Sequence, residues 1–307
     1  MTISVPHAAP HSVTHPVLDA PGRAPSSACT AGCLLSDDVP RCGWARVALR
    51  MTGLVAVLLA TVAGAPLLRT ARRDRWLRVC SRAALRAAGV RMRVTGDTRY
   101  GGAGALVVAN HLSWIDVLAL DSVQPVRMLA KQEVRDWPVI GGLAIRTGVL
   151  FVDRAGLHDL PATVAAAAEA LRSGAAVGVF PEGTTWCGAA AGTFRRAAFQ
   201  AAIDAGVPVR PVAIAFRLPD GAPARCAAFV GEQTLLDSLL RVLRLHGLVC
   251  EMAVLPAIPT AGTDRRALAL RAGEAVGTVT GVTHPAVRRP VQPEALTTAG
   301  ESLVAAA

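Results

Sequence analysis

The chain has 307 residues, enough for one sizeable domain with extensions, and 52% of them are hydrophobic although only 4% are aromatic. This apolar content is high for a soluble enzyme and favours contact with a membrane. The net charge of +10 comes without the interleaved basic and aromatic residues of nucleic-acid-binding proteins. An anionic membrane surface and anionic substrates are therefore the expected partners, and nucleic acid is not.

The numbers and positions of the cysteines and lysines limit which kinds of site are expected. The seven cysteines are scattered and include no C-x2-C pair, so neither a disulfide framework nor a zinc site is predicted. Lys131 is the only lysine among 32 cationic residues. A bias towards arginine explains this simply, although a lone lysine can also mark a place where a guanidinium does not fit.

Residues 1–45 are rich in Pro, His, Ser and Ala without periodicity, which predicts a disordered N-terminal extension. The spacing of His7, His11 and His15 would align them on a helix, but interspersed prolines disfavour that helix. Metal binding by these histidines, with or without Cys29 and Cys33, is not expected. At the other end, residues 280–307 lose periodicity and are predicted to form a loose tail.

Residues 46–89 are predicted to associate with a membrane. An uncharged apolar run at 51–68 is bounded by Arg50 and Arg69. Its length corresponds to roughly 27 Å of helix against a hydrocarbon core of about 30 Å. Whether this segment spans the bilayer or enters one leaflet stays open at this point.

Residues 69–88 follow with seven arginines and the pattern of a basic amphipathic helix. The predicted apolar face includes Trp76, Val79 and Cys80, and the arginines lie on another face. Each arginine near anionic lipid contributes about 1 kcal/mol to surface binding. The arginine excess predicts a catalytic domain on the cytoplasmic side of the cell membrane.

From residue 90 to 279 short apolar strands alternate with helices, which predicts an α/β domain. Its fold is expected to be a single mostly parallel or mixed sheet flanked by helices. Strands are predicted at 90–95, 105–109, 126–130, 149–152, 176–180, 209–216 and 249–255. Helices are predicted at 113–120, 157–172, 193–205, 235–245 and 264–276.

The most informative stretch is 104–120, GALVVANHLSWIDVLAL. Its apolar strand ends at Asn110, which places His111 at the carboxyl end of a strand, where open α/β sheets hold their chemistry. His111 and Asp116 would face roughly 140° apart on one helix. They can meet only if His111 lies in a loop and Asp116 in the first helical turn, with Ser113 as the N-cap of a capping box. A histidine held by a carboxylate is a general base, whereas the alternative is a plain helix cap beside a loop histidine.

The segment NHLSWID resembles the N-H-x4-D motif of the glycerolipid acyltransferase family, typified by 1-acyl-glycerol-3-phosphate acyltransferases. Three further stretches resemble the other motifs of that family and occur in the same order: GVLFVDR at 148–154, FPEGT at 180–184 and VPVRPVAI at 207–214. The resemblance covers about residues 90–260.

The resemblance implies a set of substrate-binding residues. Arg154 is expected to grip the phosphate of a lysophospholipid, for which a guanidinium is suited, and Lys131 to lie near the same phosphate. Glu182, Gly183 and Thr184 are expected to hold the acyl acceptor. Because like charges repel, Glu182 should orient Arg154 or Lys131, or accept a glycerol hydroxyl. The alternative for Arg154 is an ordinary surface arginine, and the alternative for residues 180–184 is an ordinary turn.

The predicted function is membrane-associated O-acyl transfer. An acyl chain would pass from acyl-CoA or acyl carrier protein to the free hydroxyl of 1-acyl-glycerol-3-phosphate, giving phosphatidic acid. His111 would act as the base and backbone amides would stabilise the oxyanion, without an acyl-enzyme, a metal or a cofactor. The same chemistry on another lyso-lipid such as lyso-ornithine lipid is one alternative. A non-catalytic membrane lipid-binding protein is the other.

Overall fold

The computed structural model describes residues 26–34, 39–97, 99–102, 104–137, 140–152 and 160–286. The three N-terminal histidines, Arg154 and residues 287–307 of the predicted tail lie outside the described residues. The domain boundaries inferred from composition stay predictions.

The centre of the molecule is one seven-stranded sheet, which confirms the predicted fold class and all seven predicted strands. In spatial order the strands run β1-β7-β6-β2-β5-β3-β4. Only the β6–β7 pair is antiparallel, and the other described pairs are parallel. The strands are β1 (Arg91–Gly96), β2 (Ala105–Ala109), β3 (Arg127–Lys131), β4 (Leu150–Val152), β5 (Ala176–Val179), β6 (Val209–Arg217) and β7 (Val249–Val254).

Eight α-helices surround or precede this sheet within the described ranges: α1 (Trp44–Gly64), α2 (Thr70–Ala87), α3 (Ile115–Val123), α4 (Ile140–Thr147), α5 (Leu160–Arg172), α6 (Ala197–Ala205), α7 (Leu235–Arg244) and α8 (Arg265–Thr280). Helix α4 was not predicted, because Gly141 and Gly142 lower helix propensity. A Cβ built at Gly141 would come within 1.9 Å of the Arg135 carbonyl oxygen, so close backbone packing accounts for that glycine.

The central strand β2 divides the core into two layers. All five of its residues are buried, as expected of a strand covered on both faces. Because side chains alternate along a strand, Val107 packs in the layer with helices α2 and α3, whereas Leu106 and Val108 pack in the layer with α5, α6 and α8. Each fully buried leucine in these layers contributes about 1.5–3 kcal/mol.

Helix α1 is the one helix in the described part of the chain that is long and apolar enough to cross a membrane by length and composition. Only 11% of its most apolar stretch is buried, so it is not a core helix of the domain. Its first half nonetheless docks on the domain, because Arg50 Nη1 donates to the carbonyl oxygens of Leu243 at 2.8 Å and Leu245 at 2.7 Å.

Helix α2 forms where the basic amphipathic helix was predicted. Val79, predicted on the apolar face, is 51% exposed, whereas Leu85 is almost fully buried. Arg82, predicted on the membrane-facing basic side, donates from Nε to the Ser122 carbonyl oxygen at 2.7 Å. The exposure of Val79 is compatible with an apolar face turned towards a membrane, and the hydrogen bond of Arg82 joins α2 to the end of α3.

Candidate active site

The loop that follows β2 brings His111 and Asp116 together. His111 Nδ1 lies 2.8 Å from Asp116 Oδ2, and the Asp116 side chain is fully buried in the first turn of α3. The same oxygen accepts the backbone N–H groups of Leu112 at 2.6 Å and Ser113 at 2.8 Å. Because an ionised carboxylate only accepts hydrogen bonds, Nδ1 carries the proton and Nε2 keeps its lone pair.

The predicted capping box is only half formed. Asp116 bonds back to the Ser113 N–H, but α3 begins at Ile115 and its N-cap residue is Trp114, which makes no side-chain cap bond. Among the described residues, the buried Ser113 hydroxyl has no hydrogen-bond partner. Asp116 supplies the acceptor for the N–H groups ahead of the helix, so the expectation that Ser113 is the N-cap was wrong.

The imidazole of His111 is held flat while one edge stays accessible. Its ring stacks on Phe180 with centroids 3.8 Å apart and planes 5° from parallel. The His111 side chain is 21% exposed, whereas its carboxylate partner is not exposed at all. An oriented imidazole with a free Nε2 is suited to take a proton from a substrate hydroxyl.

Three backbone contacts fix the loop around this histidine. The His111 N–H donates to Glu182 Oε2 at 2.6 Å, and the His111 carbonyl oxygen accepts the Trp186 N–H at 2.8 Å. The Leu112 carbonyl oxygen accepts the Phe229 N–H at 2.8 Å. The general base is therefore anchored to the segment after β5 and to the loop after β6.

Asn110 is a structural member of the site to which the sequence assigned no role. Its side-chain amide donates to the Ile214 carbonyl oxygen at 2.9 Å, and its side-chain oxygen accepts the Ile214 N–H at 2.8 Å. The side chain thereby continues the β2–β6 ladder one residue past the strand and sets where His111 leaves the sheet. The sequence feature that could have indicated this role is an asparagine directly after a buried strand.

Glu182 lies in the turn that follows β5. Gly183 adopts a left-handed conformation, with φ of 76°, and its N–H donates to the Phe180 carbonyl oxygen at 3.0 Å. Glu182 is 4% exposed, and its Oε1 accepts the Gly192 N–H at 3.1 Å. Thr184 follows, half-buried. Both Glu182 oxygens thus accept backbone N–H groups, while its predicted contact with Arg154 involves a residue outside the described ranges.

His284, just beyond α8, also packs against this turn. Its Nδ1 lies 2.9 Å from the Gly192 carbonyl oxygen, and its ring centroid lies 4.4 Å from that of Phe194. Burial lowers the pKa of His284, so the 3.7 Å approach of its Nδ1 to Glu182 Oε1 is not an ion pair at neutral pH. The sequence did not reveal this contact because His284 falls in the predicted tail.

Glu182→Gln should change how stability depends on pH. Burial raises the pKa of Glu182 from 4.5 to about 8, against the lowering effect of the His111 and Gly192 N–H donors. Between these two pH values the Glu182 carboxyl is protonated in the folded wild type and ionised in the unfolded chain. The free energy of unfolding therefore falls as pH rises through that window, by on the order of 4 kcal/mol. Glutamine stays neutral, so the variant should lack this loss when thermal unfolding midpoints are compared from pH 5 to pH 8.

Glu182→Gln should also lower the free energy of unfolding by a constant amount at every pH. The single oxygen of the glutamine side chain cannot accept the N–H groups of both His111 and Gly192. Glu169→Gln is the matched control, since Glu169 lies on the surface of α5 with its side chain 76% exposed. This control should keep the wild-type pH dependence. Parallel curves for the wild type and Glu182→Gln would contradict a buried, neutral Glu182.

Of the two remaining predicted residues, Lys131 maps to the same edge of the sheet. Lys131 ends β3 and pairs in register with Val152 at the end of β4. Strands β2, β5, β3 and β4 are parallel, so their carboxyl ends meet at the edge that carries His111. Arg154 comes two residues after β4 and lies outside the described residues, so its phosphate contact stays a prediction.

A cavity of about 90 Å³ lies beside the His111 loop. Its lining includes Asn110, Leu112 and Glu182 together with Arg217 and Arg225, but His111 itself does not line it. The cavity is thus bounded by the residues on either side of His111 in the loop and not by the imidazole itself.

Comparison with known proteins places this geometry in a family. A family model described as "Acyltransferase" matches residues 91–215. A lyso-ornithine lipid O-acyltransferase of Pseudomonas aeruginosa is 42% identical over 171 residues, which is 56% of this chain and 66% of the relative. A 1-acyl-sn-glycerol-3-phosphate acyltransferase of Neisseria gonorrhoeae is 38% identical over 146 residues, 46% of this chain and 56% of the relative.

A lyso-ornithine lipid O-acyltransferase of Brucella abortus is 37% identical over 194 residues, 59% of this chain and 72% of the relative. The chain thus spans between about half and three quarters of the length of these relatives. The crystal structure of the 1-acyl-sn-glycerophosphate acyltransferase of Thermotoga maritima shares the fold, with a TM-score of 0.59 at 18% identity over 77% of this chain and 95% of that one. On the matched relatives and the site geometry together, the chain belongs to the acyltransferase family.

Proposed function

We propose that this chain transfers an acyl group from a thioester to the free hydroxyl of a lyso-lipid, with 1-acyl-glycerol-3-phosphate as the acceptor and phosphatidic acid as the product. The observation that carries the proposal is the His111–Asp116 pair at the carboxyl edge of the sheet, with Nδ1 bound at 2.8 Å and the ring partly open to solvent. The Neisseria gonorrhoeae relative, named for this acceptor, supports it.

The proposed reaction is a direct transfer. His111 Nε2 takes the hydroxyl proton as the acceptor oxygen attacks the thioester carbon, and Asp116 stabilises the imidazolium that forms. The tetrahedral intermediate then collapses, the carbon–sulfur bond breaks, and the departing sulfur takes the proton from Nε2. Every atom and proton is accounted for without a covalent enzyme intermediate, a metal or a resident cofactor in the chemistry.

A second acceptor is favoured by a specific observation. The Pseudomonas aeruginosa relative, 42% identical, is named a lyso-ornithine lipid O-acyltransferase. A lyso-ornithine lipid presents a free hydroxyl to the same base but has no phosphate, so the two acceptors differ in the head group and not in the reaction.

The proposed place of action is the cell membrane, with the catalytic domain on the cytoplasmic side. The exposed apolar helix α1 and the arginine-rich helix α2 support a location at the membrane, and the excess of arginines supports the cytoplasmic side. The proposed donor on that side is acyl-CoA or acyl carrier protein.

The test is acyl transfer by the full-length chain purified in detergent, with oleoyl-CoA and either lysophosphatidic acid or a lyso-ornithine lipid. Phosphatidic acid formed from the first acceptor supports the proposal. Product from the second acceptor alone would keep the mechanism and replace the acceptor. If acyl carrier protein loaded with the same chain also gives no product with either acceptor, the chain is a lipid-binding protein and the proposal is wrong.

Arg154→Ala discriminates between the acceptors. If Arg154 binds a phosphate, its loss removes charge-assisted hydrogen bonds and should raise the KM for lysophosphatidic acid by about 10- to 100-fold. The KM for a phosphate-free acceptor should change much less. Arg135→Ala, at an exposed arginine between β3 and α4, is the matched control and should behave as the wild type. Equal effects of Arg154→Ala on both acceptors would refute phosphate binding by this residue.

A further inference from the structure

Three thiols that are scattered along the chain converge beside the active-site loop. Cys29 precedes a short 3-10 turn (Ala31–Leu34), Cys33 lies within it, and Cys187 belongs to the segment after β5. Their sulfur atoms all lie within 4.8 Å of one another. Because Cys29 and Cys187 are 158 positions apart, the fold creates this cluster and sequence spacing could not reveal it.

The surroundings of the cluster suit thiolate ligands. Cys29 and Cys187 are 2% and 3% exposed, and Cys33 is half-buried, so one side of the cluster remains accessible. The Cys187 N–H donates to Cys29 Sγ at 3.4 Å. On the buried side the cysteines pack with apolar residues: Leu34, Trp186, Ala228 and Val230.

Hydrogen bonds to Cys187 favour its ionised form. A hydrogen bond from the Cys29 thiol, followed in effect by those from the backbone N–H groups of Ala189 and Ala190, lowers the pKa of Cys187 to about 5, although burial opposes this. The same contact and burial raise the pKa of Cys29, so Cys187 is the more acidic thiol of the pair. N–H groups directed at a sulfur are the supporting contacts that orient and stabilise metal-bound thiolates. The geometry of the three sulfurs stands independently of this shift.

A metal ion accounts for all three sulfurs better than a disulfide does. All three cysteines are free thiols, and a disulfide would pair two of them and leave the third unused in the same pocket. Zinc–sulfur bonds of 2.3 Å in a tetrahedron hold neighbouring sulfurs roughly 3.8 Å apart. Contraction of the cluster by about 1 Å or less would reach that spacing.

We propose that Cys29, Cys33 and Cys187 bind one soft divalent cation of the zinc type through their thiolates, with water in the fourth position on the accessible side. Three sulfur ligands select zinc over magnesium or calcium, which prefer oxygen. The proposal does not depend on the acyl acceptor or donor.

This ion would join two distant parts of the chain. It would tie the segment ahead of α1 to the segment after β5, where the Trp186 N–H donates to the His111 carbonyl oxygen. The metal is thus assigned a positioning role next to the loop that carries the general base, and no role in the chemistry itself.

The test is the zinc content of the full-length chain, purified in detergent and passed through a desalting column after incubation with zinc. Elemental analysis should find one zinc per wild-type chain, and Cys29→Ser, Cys33→Ser and Cys187→Ser should each lose it. Cys42→Ser is the matched control, because Cys42 is also a buried free thiol but lies outside the cluster. It should retain the metal.

Cobalt loading gives a second readout that needs no variant. Cobalt bound by three thiolates should produce an intense sulfur-to-metal charge-transfer band in the near ultraviolet, and added zinc should abolish it. Cys33→Ser, at the half-exposed member, decides the matter if the buried variants fail to fold. Absence of both zinc and the cobalt band in folded wild type would overturn the proposal. A measured mass of the wild-type chain that is lower by two hydrogens would also overturn it, since that indicates a disulfide. Full retention of zinc by Cys33→Ser would overturn it as well.

Discussion

His111→Ala is expected to lower kcat for acyl transfer by about 10²- to 10⁴-fold, the usual contribution of a positioned general base. The fold should survive, because Asp116 Oδ2 keeps its two backbone donors from Leu112 and Ser113 when the imidazole is removed. The lost groups are the Nε2 that accepts the hydroxyl proton and the ring that stacks on Phe180. Steady-state kinetics with saturating donor and acceptor measure the effect.

His246→Ala is the control for this experiment, since His246 is an exposed histidine between α7 and β7 whose backbone N–H donates to the Pro40 carbonyl oxygen. Its kcat should equal that of the wild type. If His111→Ala retains more than a tenth of wild-type kcat while folded, His111 is not the general base.

Asp116→Asn should lower kcat by about 10²- to 10³-fold and leave the KM of both substrates nearly unchanged. One Asp116 oxygen accepts all three hydrogen bonds, from His111 Nδ1, Leu112 and Ser113. An asparagine can place its carbonyl oxygen there, and so keep the loop and the imidazole orientation. What it removes is the negative charge, whose attraction for an imidazolium about 4 Å away is worth roughly 4 kcal/mol at an effective dielectric constant of 20.

Two further variants separate charge from anchoring. Asp116→Ala loses the acceptor as well, so it should lower the thermal unfolding midpoint in addition to kcat. Asp121→Asn makes the same chemical change at the other end of α3, where burial raises the pKa of Asp121 to about 7 and its Oδ1 accepts the Val126 N–H. This control should affect kcat little. A wild-type kcat in Asp116→Asn would show that the carboxylate only anchors the loop.

Much of the fold could be predicted because local and global signals agree. Strands such as β2 and β5 are short, buried apolar runs with turn residues on either side, which makes them easy to locate in the sequence. Helix α4 was missed because Gly141 is required by a close backbone approach at Arg135, which no local pattern encodes. The burial of Leu85 on α2 likewise depends on packing against the domain, which helical periodicity alone does not specify.

The candidate site was predictable only where its residues are close in sequence. His111 and Asp116 lie five residues apart, so helical geometry limited how they could meet. Asn110 bonds to Ile214, and His284 bonds to Gly192. Both partners are distant in sequence and come close only in the folded structure. The three-thiol cluster is the extreme case. Long-range pairing of this kind comes from topology, and periodicity carries no information about it.

The backbone of the His111 loop has a consequence for local opening. The three consecutive N–H groups of His111, Leu112 and Ser113 all donate to buried carboxyl groups, the first to Glu182 and the other two to Asp116. A surface loop ordinarily exchanges its amide hydrogens through small, frequent fluctuations. Here, exposure of any of the three to solvent requires a buried carboxyl group to lose its hydrogen-bond donor inside the protein. The loop should therefore exchange with the protection of a core strand, and an incoming lipid meets a base that is already in place.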